Sequence, residues 1–129
     1  MREIKFKAKR LDNGEWEEGS LLLSERGKVC IGTMLDSNEE NGTPVCFKCR
    51  EVDPTTVCQF TGLKDNEGMD IFEGDLLAEK RFPMYEVGYV NSEFAASYIG
   101  ENTFIFKLPA LSKDCVVCGS KFDRKEGEK

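Results

Sequence analysis

The residues best suited to chemistry are two Cys-x-x-Cys pairs, Cys46-Phe47-Lys48-Cys49 and Cys115-Val116-Val117-Cys118, the second followed by Gly119. Four thiolates can close a tetrahedral zinc site, and a Cys-x-x-Cys-Gly turn suits two of the four ligands. The stretch between the pairs is longer than ordinary zinc-ribbon spacing, although a fold can bring distant pairs together. Two physical facts oppose the metal. Residues three apart on an extended strand face opposite ways, so Val116-Val117 favours a strand over a chelating turn. A free cysteine also packs as a small hydrophobe. The reading is therefore structural cysteines and no cofactor, with zinc on Cys46, Cys49, Cys115 and Cys118 as the alternative. A redox Cys-x-x-Cys wants a βαβ setting that this chain lacks.

Carboxylates cluster at Asp65, Glu67, Asp70, Glu73 and Asp75. Paired carboxylates can do acid–base work or hold a hard cation. Gly68 falls at the wrong offset for a calcium loop that begins at Asp65. The preferred reading is two turns: Asp65-Asn66 capping backbone donors with Gly68 at positive φ, and Glu73-Gly74-Asp75 with Asp75 bonded to backbone N–H groups. Histidine is absent, which excludes Ser-His-Asp triads, Cys-His pairs and imidazole-ligated metals. No phosphate-cradling glycine loop or nucleophile elbow is present.

These residues sit in a chain of 129, with 18 Lys+Arg against 24 Asp+Glu and a net charge of -6. Residues 1–10 are basic, and the body from 11 to 120 is strongly acidic. That balance works against phosphate-backbone binding, which needs clustered cations, so nucleic acid is disfavoured. The row Lys5, Lys7, Lys9 is the one feature that points the other way, and it is read as a solvated face protecting a strand edge. Apolar runs such as Leu21–Leu23 are too short to span a membrane. Met1-Arg2-Glu3-Ile4-Lys5 puts charge where a signal peptide needs an apolar stretch, so a cytoplasmic location with reduced cysteines is expected.

The elements that must position these groups are strands. Ile4, Phe6 and Ala8 alternate with Lys5, Lys7 and Lys9 in the period of a half-buried strand. Asp12-Asn13-Gly14 predicts a hairpin turn. Further strands are expected at Trp16–Leu23, Val29–Leu35, Pro44–Val52, Val57–Phe60, around Ile71–Leu77, and at Tyr85–Val90, Phe94–Ile99, Thr103–Leu108 and Cys115–Phe122. Gly88 inside a strand predicts a bulge or a close backbone approach. Residues 36–43 read as a polar loop, with Asn41-Gly42 as a turn. Helices are expected only as short pieces, Pro54–Cys58 behind an Asp53 cap and a turn at Leu108–Ser112. The aromatic residues from Phe60 to Phe106 are mostly core, and Arg81-Phe82-Pro83-Met84-Tyr85 reads as a loop exposing aromatic rings.

Two stretches carry a resemblance. Gln59-Phe60-Thr61-Gly62-Leu63-Lys64-Asp65, continuing to Ile71-Phe72-Glu73-Gly74-Asp75-Leu76-Leu77, resembles the signature of the YopX family of phage and prophage proteins. The start, with Lys9-Arg10-Leu11-Asp12-Asn13-Gly14-Glu15-Trp16, fits it too, as does Glu51-Val52-Asp53-Pro54. The resemblance runs from residue 1 to about Asp123. It implies a viral genome context and a mainly β fold: an N-terminal β region at 1–53, a small SH3-like barrel at 54–122, and a charged tail at 123–129. It places Cys118 at an apolar strand position and Phe122 at an aromatic one, and it transfers no catalytic residue. The expected function is a non-enzymatic interaction module that associates with itself, as a homo-oligomer, or with a phage or host protein. Strand edges and the segment Phe82–Tyr85 are its expected contacts. The alternatives are a nucleic-acid-associated accessory module using the Lys5, Lys7, Lys9 face and a zinc-stabilised domain using the two Cys-x-x-Cys pairs.

Overall fold

A computed structural model describes residues 2–35 and 46–123. The expected polar loop at 36–43, its Asn41-Gly42 turn and the tail beyond Asp123 lie outside the described residues. The protein is mainly β, with two antiparallel sheets that do not close into a barrel. By packing it divides into two compact units, Glu3–Gln59 and Phe60–Lys129, the latter joined by Met1–Arg2.

The first unit follows from alternation. Strand β1 (Phe6–Lys9) pairs antiparallel with β2 (Trp16–Leu23), with Ala8 opposite Glu17 and Lys9 opposite Trp16. The expected hairpin turn joins them: the Asn13 side chain accepts from Glu15 N at 2.9 Å, and Gly14 N donates to Arg10 O at 2.9 Å. Then β3 (Val29–Leu35) pairs with β2, and β4 (Cys46–Glu51) with β3. Ala8, Ile31 and Val52 form the buried centre, flanked by Phe6, Leu21, Val29 and Val57. Burying a side chain the size of Ile31 contributes about 1.5–3 kcal/mol.

After β4 the chain returns to β1. Val52 bridges Arg10, and Asp53 N donates to Lys9 O at 2.8 Å. The expected short helix is a single 3₁₀ turn, Pro54–Thr56, capped as anticipated: the Asp53 carboxylate accepts from Thr55 N at 3.0 Å. Strand β5 (Cys58–Lys64) then pairs through Cys58 and Gln59 with the other side of β1. This corrects the reading of the lysine row. β1 is an inner strand, so Lys7 and Lys9 on it protect no edge, and Lys5 precedes it.

In the second unit, β5 continues into a bulged pairing with β6 (Asp70–Phe72). Thr61 sits in the bulge and donates its hydroxyl to Ile71 O at 2.7 Å. The five-stranded sheet contains β7 (Asp75–Glu79), β8 (Phe82–Val90), β9 (Glu93–Tyr98), β10 (Phe106–Lys107) and β11 (Val116–Ser120), in the order β10-β9-β8-β7-β11. Four strands meander. A one-turn helix α1 (Leu108–Leu111) follows, and β11 returns to pair with β7. The strand expected at Thr103–Leu108 is thus only two residues long, because Pro109 ends it and opens the helix. The core is Ile71, Leu77, Tyr85, Val87, Ala96, Leu108 and Cys115.

Gly88 meets its expectation of a close approach. A Cβ built there would lie 2.4 Å from Phe104 Cε1, so the ring occupies the space a side chain would take. Gly88→Val should therefore displace Phe104 and cost about 1–2 kcal/mol of unfolding free energy in urea titration. An unchanged midpoint would show that the ring is not held against the strand.

Candidate interaction surface

The signature residues turn out to be structural. Asp65 is buried, and its Oδ1 accepts from Glu67 N at 2.8 Å and Met69 N at 2.9 Å, while Oδ2 accepts from Val117 N at 2.8 Å. Gly68 has a φ of 86°, as the turn reading requires. Lys64 pairs with Asp70 at 2.6 Å. Asp75 is fully buried, and its carboxylate accepts from Phe72 N at 2.8 Å across the Glu73-Gly74 turn. Leu63 packs against the core, and Ile71 and Leu77 are part of it. Hence each named carboxylate of the pair Asp65 and Asp75 is engaged by backbone donors, which leaves it poorly placed to accept a substrate proton.

The cysteines separate. Cys115 lies in the apolar core, and burial pushes its thiol pKa up, helped by the charges of Glu79 and Asp114. Cys118 is exposed, with its sulfur 3.3 Å from Leu76 O. Its expected place as a packed apolar residue is corrected by a β-bulge: Val117 faces Leu77 and Gly119 faces Leu76, so Cys118 is the extra residue. Partial desolvation is the main cause raising its pKa. In the first unit Cys49 stands on β4 opposite Gly32, and Cys46 opposite Leu35. The Cys46 side chain lies outside the described residues. Among the described residues, no group of three or more Cys, Asp or Glu side chains gathers as a metal site would need.

The lysine row is engaged as well. Lys7 Nζ lies 4.7 Å and Lys9 Nζ 5.4 Å from the Trp16 ring centre, and Lys5 pairs with Glu3 at 3.5 Å. Lys7, Lys9 and Trp16 are all half-buried. Cation–π contact of this kind stabilises the hairpin by about 0.5–1 kcal/mol.

Large exposed apolar side chains occur in both units, with Leu23 and Phe47 among those in the first and Phe82 and Ile105 among those in the second. The segment expected to be an exposed loop is instead the start of β8, so only part of the expectation holds: Phe82 is 72% exposed, whereas Tyr85 is core. Tyr85 faces inward because it pairs opposite Leu77, with Met84 taken up by a register shift. Its ring stacks on Tyr98 at 5.5 Å, and Phe106 meets both rings edge-on at 5.2 and 4.9 Å. Tyr98 is 40% exposed, and its neighbours at the β9–β10 end, Ile99 and Ile105, are 42% and 69% exposed. Alternation along β9 puts Tyr98 on the face of Tyr85 and Phe106, and Ile99 on the other face beside Leu76 and Lys121, a placement that only the register reveals. An apolar cavity of about 410 Å³ lies elsewhere in this unit, lined by Thr61, Leu63, Phe94 and Pro109, with Glu93 and Lys107 paired at 3.4 Å beside it. Among the described residues, no helix is long and apolar enough to cross a membrane.

Burial alone works to raise the Asp65 pKa, but the backbone donors, led by Val117, outweigh it and hold the carboxyl below its usual value. A carboxyl with a lower pKa in the folded state adds stability above its unfolded pKa, about 4, and that stability is lost as pH falls through the folded value. Asp65→Asn should therefore flatten the loss of stability between about pH 5 and 2. Asp65→Ala, which strands three N–H groups, should cost about 2–4 kcal/mol at neutral pH. Equal acid sensitivity of wild type and Asn variant would refute the anchoring role. Thiol labelling in the native state should modify Cys118 and spare Cys115 until the protein unfolds, as peptide mass mapping would read.

A search of the curated proteins finds no match for this chain. A family model described as YopX protein matches residues 5–125. Nearly the whole chain is covered, both the N-terminal hairpin and the turn-and-bulge signature from Gln59 to Leu77 included, and the chain belongs to the YopX family.

Proposed function

We propose that this YopX-family protein is a non-enzymatic interaction module of phage or prophage origin that works in the bacterial host cytoplasm by assembling with further copies of itself. The observation that carries the reading is the exposure of Tyr98, Ile99 and Ile105 around the end of β9 and the two-residue edge strand β10, with Phe82 also exposed on β8. Exposed large apolar side chains at a sheet edge offer a partner apolar surface to cover. The commitment of Asp65 and Asp75 to backbone donors supports a module without acid–base chemistry. The meander β7-β8-β9-β10, the one-turn helix and the return of β11 to β7 support an SH3-like description of the second unit.

Native mass spectrometry of the full chain tests the reading. A metal-free homo-oligomer is expected, and Phe82→Asp and Ile105→Asp are expected to weaken it at least tenfold without lowering the unfolding midpoint. A wild-type monomer at all concentrations, or an oligomer indifferent to both substitutions, would overturn the proposed surface. A subunit mass raised by one zinc, with unfolding on chelation, would replace this reading with the four-cysteine one.

A further inference from the structure

The β3–β4 register gives Cys49 a thiol neighbour in the first unit other than the one its Cys-x-x-Cys spacing suggests. In the β3–β4 ladder Cys30 lies opposite Glu51, and Cys49 lies opposite Gly32. The two cysteines are thus diagonal neighbours on adjacent antiparallel strands, two residues out of register and on the same face of the sheet. Gly32 places no side chain of its own between them. Leu22 and Phe47 reach over that glycine, so the thiols sit beside apolar groups. Desolvation first, and then the nearby Cys49 thiol, push the Cys30 pKa up. Cys30 is half-buried and Cys49 exposed, and neither is in a disulfide.

We propose that Cys30 and Cys49 form a reversible oxidation site, closing to a cross-strand disulfide between β3 and β4 when a peroxide reaches the exposed Cys49. In the first step the Cys49 thiolate attacks a peroxide oxygen, the O–O bond breaks, hydroxide leaves, and the sulfur becomes a sulfenic acid. In the second, the Cys30 sulfur attacks the Cys49 sulfur. The S–S bond forms, the S–OH bond breaks, and the hydroxyl departs as water with the Cys30 proton. Hydrogen peroxide is the oxidant, the two thiols are oxidised by two electrons in all, and two waters are produced.

The assignment of roles follows from the surroundings. The exposed sulfur meets the oxidant. The half-buried one is shielded from the oxidant, and desolvation above all holds Cys30 in its neutral thiol form. It is thus spared the first oxidation and stays reduced to meet the sulfenic acid beside it. A diagonal pair is more widely spaced than an unstrained disulfide prefers, so closure shifts the two strands slightly and leaves a bond that a small thiol reduces readily. Oxidation would in turn fasten β4 to β3 and restrain the strand that follows residues 36–45.

The full chain, treated with hydrogen peroxide and mapped by non-reducing peptide mass spectrometry, tests this. Two of the six thiols should be lost, a Cys30–Cys49 cross-linked peptide should appear, and glutathione should restore both thiols. Cys49→Ser should abolish the cross-link, and Cys46→Ser and Cys118→Ser should leave it intact. Mapping the wild-type protein needs no variant, so a variant that fails to fold does not spoil the result. A cross-link joining Cys46 to Cys49, an intermolecular cross-link through Cys118, or Cys49 carried on to the sulfinic acid with Cys30 still reduced would each overturn the proposal.

Discussion

The second unit depends on one carboxylate that serves two stretches of chain at once. Asp65 Oδ1 closes its own turn through Glu67 N and Met69 N, and Oδ2 takes Val117 N, 52 residues further on. Asn66 doubles the tie: its N–H donates to Cys115 O at 3.0 Å and its side-chain amide to Lys113 O at 2.8 Å. These bonds place the start of β11, and β11 in turn pairs with β7 from Val116 to Ser120. Seating Cys115 in the core follows from the same ties. A buried carboxylate without partners would be prohibitive, and the cost is offset only because each oxygen faces backbone donors that would otherwise be stranded.

The same device recurs. Asp53 caps the 3₁₀ turn through Thr55, with the Thr55 side chain and then its backbone N–H lowering the Asp53 pKa. Asp75 holds Phe72 N across the turn between β6 and β7. A chain with very little helix has many turns, and each leaves N–H groups that no ladder can satisfy. Aspartate, short and acceptor-only, supplies what those turns need. Part of the acidic excess of this chain is therefore fold-forming, and its net charge of -6 says less about a substrate than the number alone suggests.

What could be read from the sequence was local. The alternation at Phe6 and Ala8, the Asn13-Gly14 turn, the Asp53 cap and the Asp65 turn all depend on residues within a few positions of one another, and the structure has each of them. Gly88 was legible as a close approach, although its partner Phe104 was not. The misreadings share one cause, pairing between distant segments. The lysine row on β1 loses its edge because β5 returns from residue 58. Tyr85 turns inward because a register shift against β7 takes up Met84. Cys118 turns outward because β11 bulges against β7. Cys-x-x-Cys spacing drew attention to Cys46, whereas the diagonal neighbour of Cys49, Cys30, is set by the β3–β4 register.

Register also bears on how the proposed assembly would form. An exposed strand edge invites pairing by another strand, and proteins blunt such edges with short strands and bulges. Both edges of the five-stranded sheet are blunted in this way. β10 is two residues long and runs directly into Pro109 and the helix, and β11 carries the bulge at Cys118. Main-chain pairing therefore has little to extend at either side. The apolar groups near β10 are another matter: Ile105 precedes it, Tyr98 and Ile99 end the neighbouring strand and begin the next turn, and the Tyr85-Tyr98-Phe106 stack fixes the geometry of the ring that faces out. A rigid aromatic ring loses little conformational freedom on contact. On the proposed reading, association through this unit is by side-chain packing on a fixed aromatic surface, and strand addition contributes little.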